Sequence, residues 1–257
     1  MNKFFVPSCG VLADKIIIED KDEAHHIRDV LRLKEGEKVA VFDDKGNEYL
    51  CAIESLEDKI RLNINKRITA VKKDERFKLT VACAIPKKAK IDDIIDKLVQ
   101  LGTERIIPLK TERVIVKLDK HKEALRYERW KKIALSAAKQ SKRNNLAVIE
   151  MVSDFESLIR RSAEFDLKLI PCLEGERKTL KDILDRFFRD GSIANDHKNR
   201  IVPKVLILIG PEGDFSSGEV KSAKASGFIP VTLGDLVLRV DTAAIAAASF
   251  IKLYAHR

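Results

Sequence analysis

Beyond residue 76 the sequence alternates between short apolar runs and longer amphipathic stretches. Residues 205–209 are apolar at every position, which is typical of a strand buried on both faces of a parallel sheet. The stretches between such runs repeat apolar residues at three- and four-residue spacing, which indicates helices. This pattern predicts strands at 79–85, 105–109, 146–152, 166–171, 205–209 and 228–233. It predicts helices at 88–101, 121–142, 153–161, 180–189 and 216–226, with an alanine-rich helix near the C-terminus.

The alternation of strands and helices predicts an α/β domain over residues 76–257, with a mainly parallel sheet. Residues 1–70 have a different pattern, with several short strands and a turn at 43–47, where Gly46 and Asn47 tolerate positive φ. Such spacing predicts a small β-barrel with one helical stretch at 20–33. The polar residues 69–76 are expected to link the two domains.

Helix ends are marked by residues that satisfy free backbone groups. Gly102 is placed to end the helix predicted at 88–101, and Ser216 with Glu219 has capping-box spacing. Three further N-caps are predicted at Ser153, at Thr179, and at either Asp241 or Thr242.

Two glycine turns follow predicted strands. The first is Gly210-Pro211-Glu212-Gly213, and the second runs from Gly234 to Arg239. Ligands of open α/β sheets bind beyond the carboxyl ends of the strands, so the two turns mark the expected site. Neither turn has a Walker or dinucleotide glycine pattern. Arg239 introduces a positive charge at the start of a helix, where a cation is unfavourable, which indicates a functional role.

Positive charge is concentrated in one part of the chain. The net charge is +9, and residues 110–143 alone contain 12 basic and 4 acidic side chains. Such an excess is typical of a surface that binds a phosphate-rich partner. The alternative is a solvated helix face in a basic protein.

Composition excludes several classes of protein. No run of 18 apolar residues exists and the N-terminus lacks a signal peptide, so we expect a cytoplasmic protein with no membrane partner. The four cysteines lie far apart without a CxxC pair, which predicts reduced thiols and no metal site.

A family resemblance is carried by six blocks in order. The first glycine turn, with Leu233-Gly234 and Val237-Leu238-Arg239 some twenty residues later, is similar to the paired signature of the RsmE-type 16S ribosomal RNA uridine-N3 methyltransferases. These enzymes belong to the SPOUT (trefoil-knot) superfamily. The other blocks are Phe4-Phe5-Val6, His25 to Arg32, Lys97 to Gly102, Thr111-Glu112-Arg113, and Trp130 to Ala134 with Ala138 to Asn144.

The resemblance implies an N-terminal PUA-like β-barrel that binds RNA, a knotted C-terminal domain, and a homodimer. It implies S-adenosyl-L-methionine (SAM) as cofactor, S-adenosyl-L-homocysteine as product, and 16S ribosomal RNA in the small subunit as partner. On this basis we expect Arg239 to be catalytic. Cofactor contacts are expected from Pro171, Leu173, Gly210, Pro211, Glu212, Gly213, Leu233, Gly234, Val237, Leu238, Thr242 and Ala243. RNA contacts are expected from Lys3, Arg28, Arg32, Arg113, Gln140, Arg143 and Asn144.

Several positions depart from the family pattern, and two of them bear on whether the protein is catalytic. Asp214 stands where a second glycine is usual, and Val240 stands where serine or threonine is usual. These changes favour the alternative of a non-catalytic SPOUT-type RNA-binding protein, and a differently targeted SPOUT enzyme is a further alternative. Because both glycine turns are retained, an active enzyme remains the favoured interpretation. We further expect Gly210→Val to abolish SAM binding and to leave the fold intact.

Overall fold

The computed structural model describes residues 1–68, 76–86, 90–113, 120–141, 143, 145–173, 175–189 and 202–255. Its contacts divide the chain into two compact units, Met1–Asp74 with Ala138–Leu146, and Glu75–Ala137 with Ala147–Arg257. The predicted linker therefore lies outside the described residues, except for Arg76. Of the helices described, none is long and apolar enough to cross a membrane.

The first unit is built on a five-stranded sheet, as far as the described residues show. Its strands are β1 (Lys3–Phe5), β2 (Lys15–Ile18), β3 (Lys38–Phe42), β4 (Glu48–Ser55) and β5 (Ile60–Ile68), in the order β1-β3-β4-β5-β2. All pairs are antiparallel except β1 with β3. Alternate residues of β4 are buried, so one face of the sheet covers the core.

Two local predictions in this unit need correction. The helical stretch is α1 (Lys21–His25) followed by a π-helix at His26–Val30, and it ends before Arg32, which has a φ of 52°. Within residues 43–47, all of which are described, only Gly46 has positive φ. The turn depends instead on buried Asp43, whose carboxylate accepts from Asn47 and from the hydroxyl of Tyr49.

The second unit contains a sheet in which every described pair of strands is parallel. This confirms the predicted α/β class. The strands are β6 (Lys78–Ala84), β7 (Arg105–Lys110), β8 (Val148–Ile149), β9 (Ser153–Asp154), β10 (Leu167–Pro171), β11 (Lys178–Thr179), β12 (Lys204–Ile209) and β13 (Ile229–Thr232). They lie in the order β11-β13-β10-β12-β6-β7-β8, and β9 pairs with β7. The helices are α2 (Lys90–Gln100), α3 (Lys120–Gln140), α4 (Phe155–Arg160), α5 (Leu180–Arg189), α6 (Ser217–Ala225) and α7 (Val240–Ala255).

Some of the predicted helix ends are confirmed. Gly102 has a φ of 83°, and it donates to Val99 while Thr103 donates to Leu98, which together form a Schellman motif. The Thr179 hydroxyl accepts from the backbone of Asp182, and Ser216 forms the predicted capping box with Glu219.

Three local predictions are wrong. Asp154, not Ser153, caps α4, because its carboxylate accepts from the backbone of Ser157. The predicted strand 146–152 is reduced to Val148–Ile149, the part that pairs with β7. Neither Asp241 nor Thr242 caps the last helix, since α7 begins at Val240 and the first carbonyl to accept is that of Arg239.

Candidate functional site

A cavity lies beyond the carboxyl ends of three adjacent strands, β13, β10 and β12. The empty space within it measures about 580 Å³, part of which is open solvent. Its lining comprises Pro171, Cys172, Leu173, Arg177, Ile209, Gly210, Pro211, Glu212, Asp214, Val231, Thr232, Leu233, Gly234, Leu236, Val237, Leu238, Val240 and Ala243. Both glycine turns therefore contribute to one pocket.

Most of the residues predicted to bind the cofactor meet at this cavity. Ten of the twelve belong to the lining as the described residues define it. Gly213 and Thr242 lie outside that lining. Arg239 is exposed and does not line the cavity, although its neighbours Leu238 and Val240 do.

Sequence reasoning missed several lining residues. Ile209 is the last residue of β12, and Val231 and Thr232 are the last two of β13, so the rule that ligands bind at carboxyl ends could have included them. Arg177 carried no such signal, whereas Leu236 lies within the second glycine turn and Asp214 directly follows the first. Arg177 adds a positive charge to the lining, and its guanidinium donates to the carbonyl of Cys172 over 3.2 Å.

The first glycine turn is held by packing against Phe215. A Cβ atom on Gly210 would lie 3.0 Å from the buried ring of Phe215, which is closer than real Cβ atoms usually approach. Gly210→Val therefore requires the buried ring of Phe215 to move by a few tenths of an ångström, and the expectation that this variant leaves the fold intact stays a prediction. The residue of this turn with positive φ is Asp214, at 59°, rather than Gly213.

The second turn is open to solvent. Gly234 has a φ of 122°. Its N–H donates to the hydroxyl of Thr232, and that hydroxyl donates to the carbonyl of Gly234. Leu236 is 79% exposed and Val237 is 71% exposed, although both line the cavity. Exposed apolar side chains at the rim of a pocket indicate a surface that another molecule covers.

The first turn is also connected to the chain after β7. Buried Glu219 accepts from the backbone of Ser216 and from the backbone of Glu112, both within 2.9 Å. The guanidinium of Arg113 donates to the carbonyl of Gly213. The block Thr111–Glu112–Arg113 thus holds the start of α6 and the first turn in place.

Two thiols lie at or near the site. Burial raises the pKa of Cys172, and the carboxylate of Asp214 raises it further. Burial likewise raises the pKa of Cys83, with smaller contributions from Asp241 and Glu212. Both thiols are therefore neutral at pH 7 and are not nucleophiles. No group of three or more metal-ligating side chains occurs in the part of the chain that the structure describes.

The residues predicted to contact RNA differ in their exposure, in their hydrogen-bond partners and in the unit to which they belong. In the first unit, Lys3 pairs with Glu48 at 3.2 Å, and Arg28 donates to the carbonyls of Leu56 and Glu57. Arg32 is exposed there. Gln140, which is exposed, and half-buried Arg143 fall in the segment 138–146 grouped with that unit. Asn144 lies outside the described residues, and Arg113 belongs to the second unit.

Comparison with known proteins supplies the family. Residues 73–252 match the RNA methyltransferase domain family, and residues 18–66 match the RNA methyltransferase PUA domain family. A ribosomal RNA small subunit methyltransferase E of Bacillus subtilis is 31% identical over 235 residues, with 90% of this chain and 87% of the relative covered. The chain belongs to the ribosomal RNA small subunit methyltransferase E family. This confirms the predicted SPOUT class with a PUA-like N-terminal domain.

Two solved structures resemble this member of the family along its whole length. A protein of Legionella pneumophila with bound cofactor SAM has a TM-score of 0.82 and 29% identity, and covers 98% of this chain and 97% of its own. The ribosomal RNA small subunit methyltransferase E of Neisseria gonorrhoeae, bound to S-adenosyl methionine, has a TM-score of 0.79 and 26% identity. The coverage there is 99% of this chain and 98% of the other. The predicted cofactor, SAM, is therefore confirmed.

Proposed function

We propose that this methyltransferase transfers a methyl group from SAM to N3 of a specific uridine in the 16S ribosomal RNA of the small subunit, in the cytoplasm. The observation that carries the proposal is the single cavity formed by both glycine turns at the ends of β13, β10 and β12. Relatives that share this fold along their whole length bind SAM.

The cavity has the chemistry that SAM requires. Leu233, Val237 and Leu238 offer apolar walls for the adenine ring, and the glycine turns offer backbone donors and acceptors. Arg177 provides a cation for the carboxylate in the methionine part of SAM. Glu212 provides an anion for the ammonium and sulfonium groups of SAM. We propose that these side chains and turns hold the cofactor.

When bound, SAM supplies an electrophilic methyl group on its sulfonium. The acceptor nitrogen of uracil carries a proton at neutral pH, so this proton must leave and the negative charge must be stabilised. We propose that Arg239 performs the second task, and its position as an exposed cation between two residues that line the cavity supports this role. The described lining contains the carboxylates of Glu212 and Asp214 but no histidine, so we assign catalysis to positioning and electrostatics and name no general base.

An assay with small ribosomal subunits and methyl-labelled SAM separates an enzyme from a protein that only binds RNA. We expect label to enter 16S RNA in proportion to enzyme concentration and time. Binding of subunits without incorporation, at saturating SAM, would reject the catalytic proposal.

We propose that residues 1–70 form an RNA-binding domain and that exposed Arg32 contacts a phosphate. Arg32→Gln removes one cation, so the slope of log Kd for RNA against log salt should fall by about 1. Lys59→Gln is the matched control, because Lys59 is 56% exposed in the same unit and pairs with Glu19. The slopes are measured by RNA titration at several salt concentrations. Equal slopes for Arg32→Gln and the control would show that Arg32 does not contact RNA.

We also propose a homodimer formed by the second unit. Leu236, Val237, Phe250 and Leu253 are large apolar side chains that are exposed on the second turn and α7. Leu253 is 71% exposed, so Leu253→Asp should leave the monomer folded and convert a dimer of twice 29.1 kDa to monomers in light scattering. Leu125→Asp on α3, at a position 60% exposed, is the control that should remain dimeric. A monomeric wild-type chain at micromolar concentration would contradict the proposal.

A further inference from the structure

Asp214 has an unusual backbone and a half-buried side chain at the site. Its φ of 59° lies in the left-handed region, where aspartate is tolerated better than most residues with a side chain. It follows the first glycine turn directly and lines the cavity. Its presence favoured a non-catalytic protein when only the sequence was considered.

The carboxylate of Asp214 connects two walls of the cavity. One oxygen, Oδ2, accepts from the backbone N–H of Leu173 over 2.8 Å, and the other accepts from the N–H of Phe215 over 2.8 Å. Leu173 follows β10, while Phe215 follows the turn at the end of β12. Because β10 and β12 are neighbours in the sheet, the side chain spans their carboxyl ends.

Other described hydrogen bonds also hold the segment after β10. The N–H of Cys172 donates to the carbonyl of Val231 over 3.3 Å, and Arg177 donates back to the carbonyl of Cys172. The bond from Leu173 to Asp214 is the shortest of these three. It is also a charge-assisted bond, which is stronger than a neutral one.

We propose that Asp214 is a positioning residue for the cofactor. Its carboxylate fixes the residues after β10 against the first glycine turn, and so holds two walls of the cavity at the spacing that SAM binding requires. The inference rests on the proposal that this cavity holds SAM. It assigns to Asp214 a favourable role in binding, in place of the unfavourable role suggested by the sequence.

Two substitutions separate the backbone requirement from the role of the carboxylate. Glycine and asparagine both tolerate the left-handed conformation, but asparagine retains one acceptor oxygen and glycine retains none. We expect Asp214→Gly to raise the Kd for SAM about tenfold by calorimetry, and Asp214→Asn to raise it about threefold. KM for SAM should rise in parallel, and kcat at saturating SAM should stay within about twofold of wild type.

Asp166 supplies a matched control at the opposite end of the same two strands. Its carboxylate accepts from the N–H of Lys204 over 2.7 Å, and so joins the amino ends of β10 and β12. Asp166→Ala and Asp214→Gly should each lower the melting temperature without ligand by about 2–4 °C. Only Asp214→Gly should weaken SAM binding.

Equal SAM affinity in Asp214→Gly and Asp166→Ala would overturn the proposal. An Asp214→Asn variant as weak as Asp214→Gly would also overturn it, because affinity would then not follow the number of acceptors. Ala243→Leu, which fills the cavity, tests whether the cavity is the cofactor site at all. If it too leaves SAM affinity unchanged, the cavity is not the cofactor site and the proposed function fails instead.

Discussion

Arg239→Ala is expected to lower kcat for methyl transfer about 10²–10³-fold, the usual effect of removing one donor that stabilises charge developing in a transition state. The Kd for SAM should stay within about twofold, because Arg239 does not belong to the described lining of the cavity. Single-turnover rates at saturating SAM and RNA, with calorimetry for the cofactor, measure the two effects separately.

The position of Arg239 argues against a purely structural role, because its charge is unfavourable for the stability of α7. Its carbonyl accepts the first hydrogen bond of α7, so its positive charge lies at the positive end of the helix dipole. Removing that charge should leave stability unchanged or raise it by about 0.3–1 kcal/mol. Arg239→Lys keeps the charge without the planar guanidinium and should be intermediate in rate. Wild-type turnover in Arg239→Ala would reject the catalytic assignment.

Ala243→Leu should weaken SAM binding by about 100-fold or more. Ala243 lines the cavity from the first turn of α7, and a leucine there occupies space that the cofactor needs. The residue is half-buried and leucine is a strong helix former, so the melting temperature without ligand should change little. Calorimetric titration with SAM measures the affinity.

Ala246→Leu is the matched control for that substitution. It adds the same side chain to the same helix at an exposed position that is not part of the described lining. SAM affinity should be unchanged in this variant. Comparable affinities in the two variants would show that the cofactor binds elsewhere.

The sequence predicts the sheet well because its central strands are buried on both faces. Residues 205–209 are apolar and are fully or almost fully buried in β12, and this strand lies between β10 and β6 as an unbroken run predicts. Capping predictions succeeded at Ser216 with Glu219 and at Thr179. They failed at Ser153, where the neighbouring Asp154 caps the helix, and at Asp241 or Thr242, because α7 begins earlier, at Val240.

The site could be located from the sequence because both glycine turns follow strands, but its internal contacts could not. The bond from Asp214 to Leu173 joins residues 41 positions apart, and that from Arg113 to Gly213 joins residues 100 positions apart. No local pattern marks such contacts. Asp214 therefore looked like a defect in a glycine motif, whereas the structure shows a left-handed residue whose side chain ties two strand ends together.

Nucleoside analysis of 16S RNA tests the central claim most directly. Small ribosomal subunits that lack the modification are incubated with the enzyme and SAM, and the digested RNA is analysed by mass spectrometry against authentic 3-methyluridine. We predict one 3-methyluridine per subunit, formed only with SAM and lost in Ala243→Leu. Two results would contradict the account. One is the absence of 3-methyluridine from subunits that bind the protein at saturating SAM, and the other is a methyl group on another atom or base.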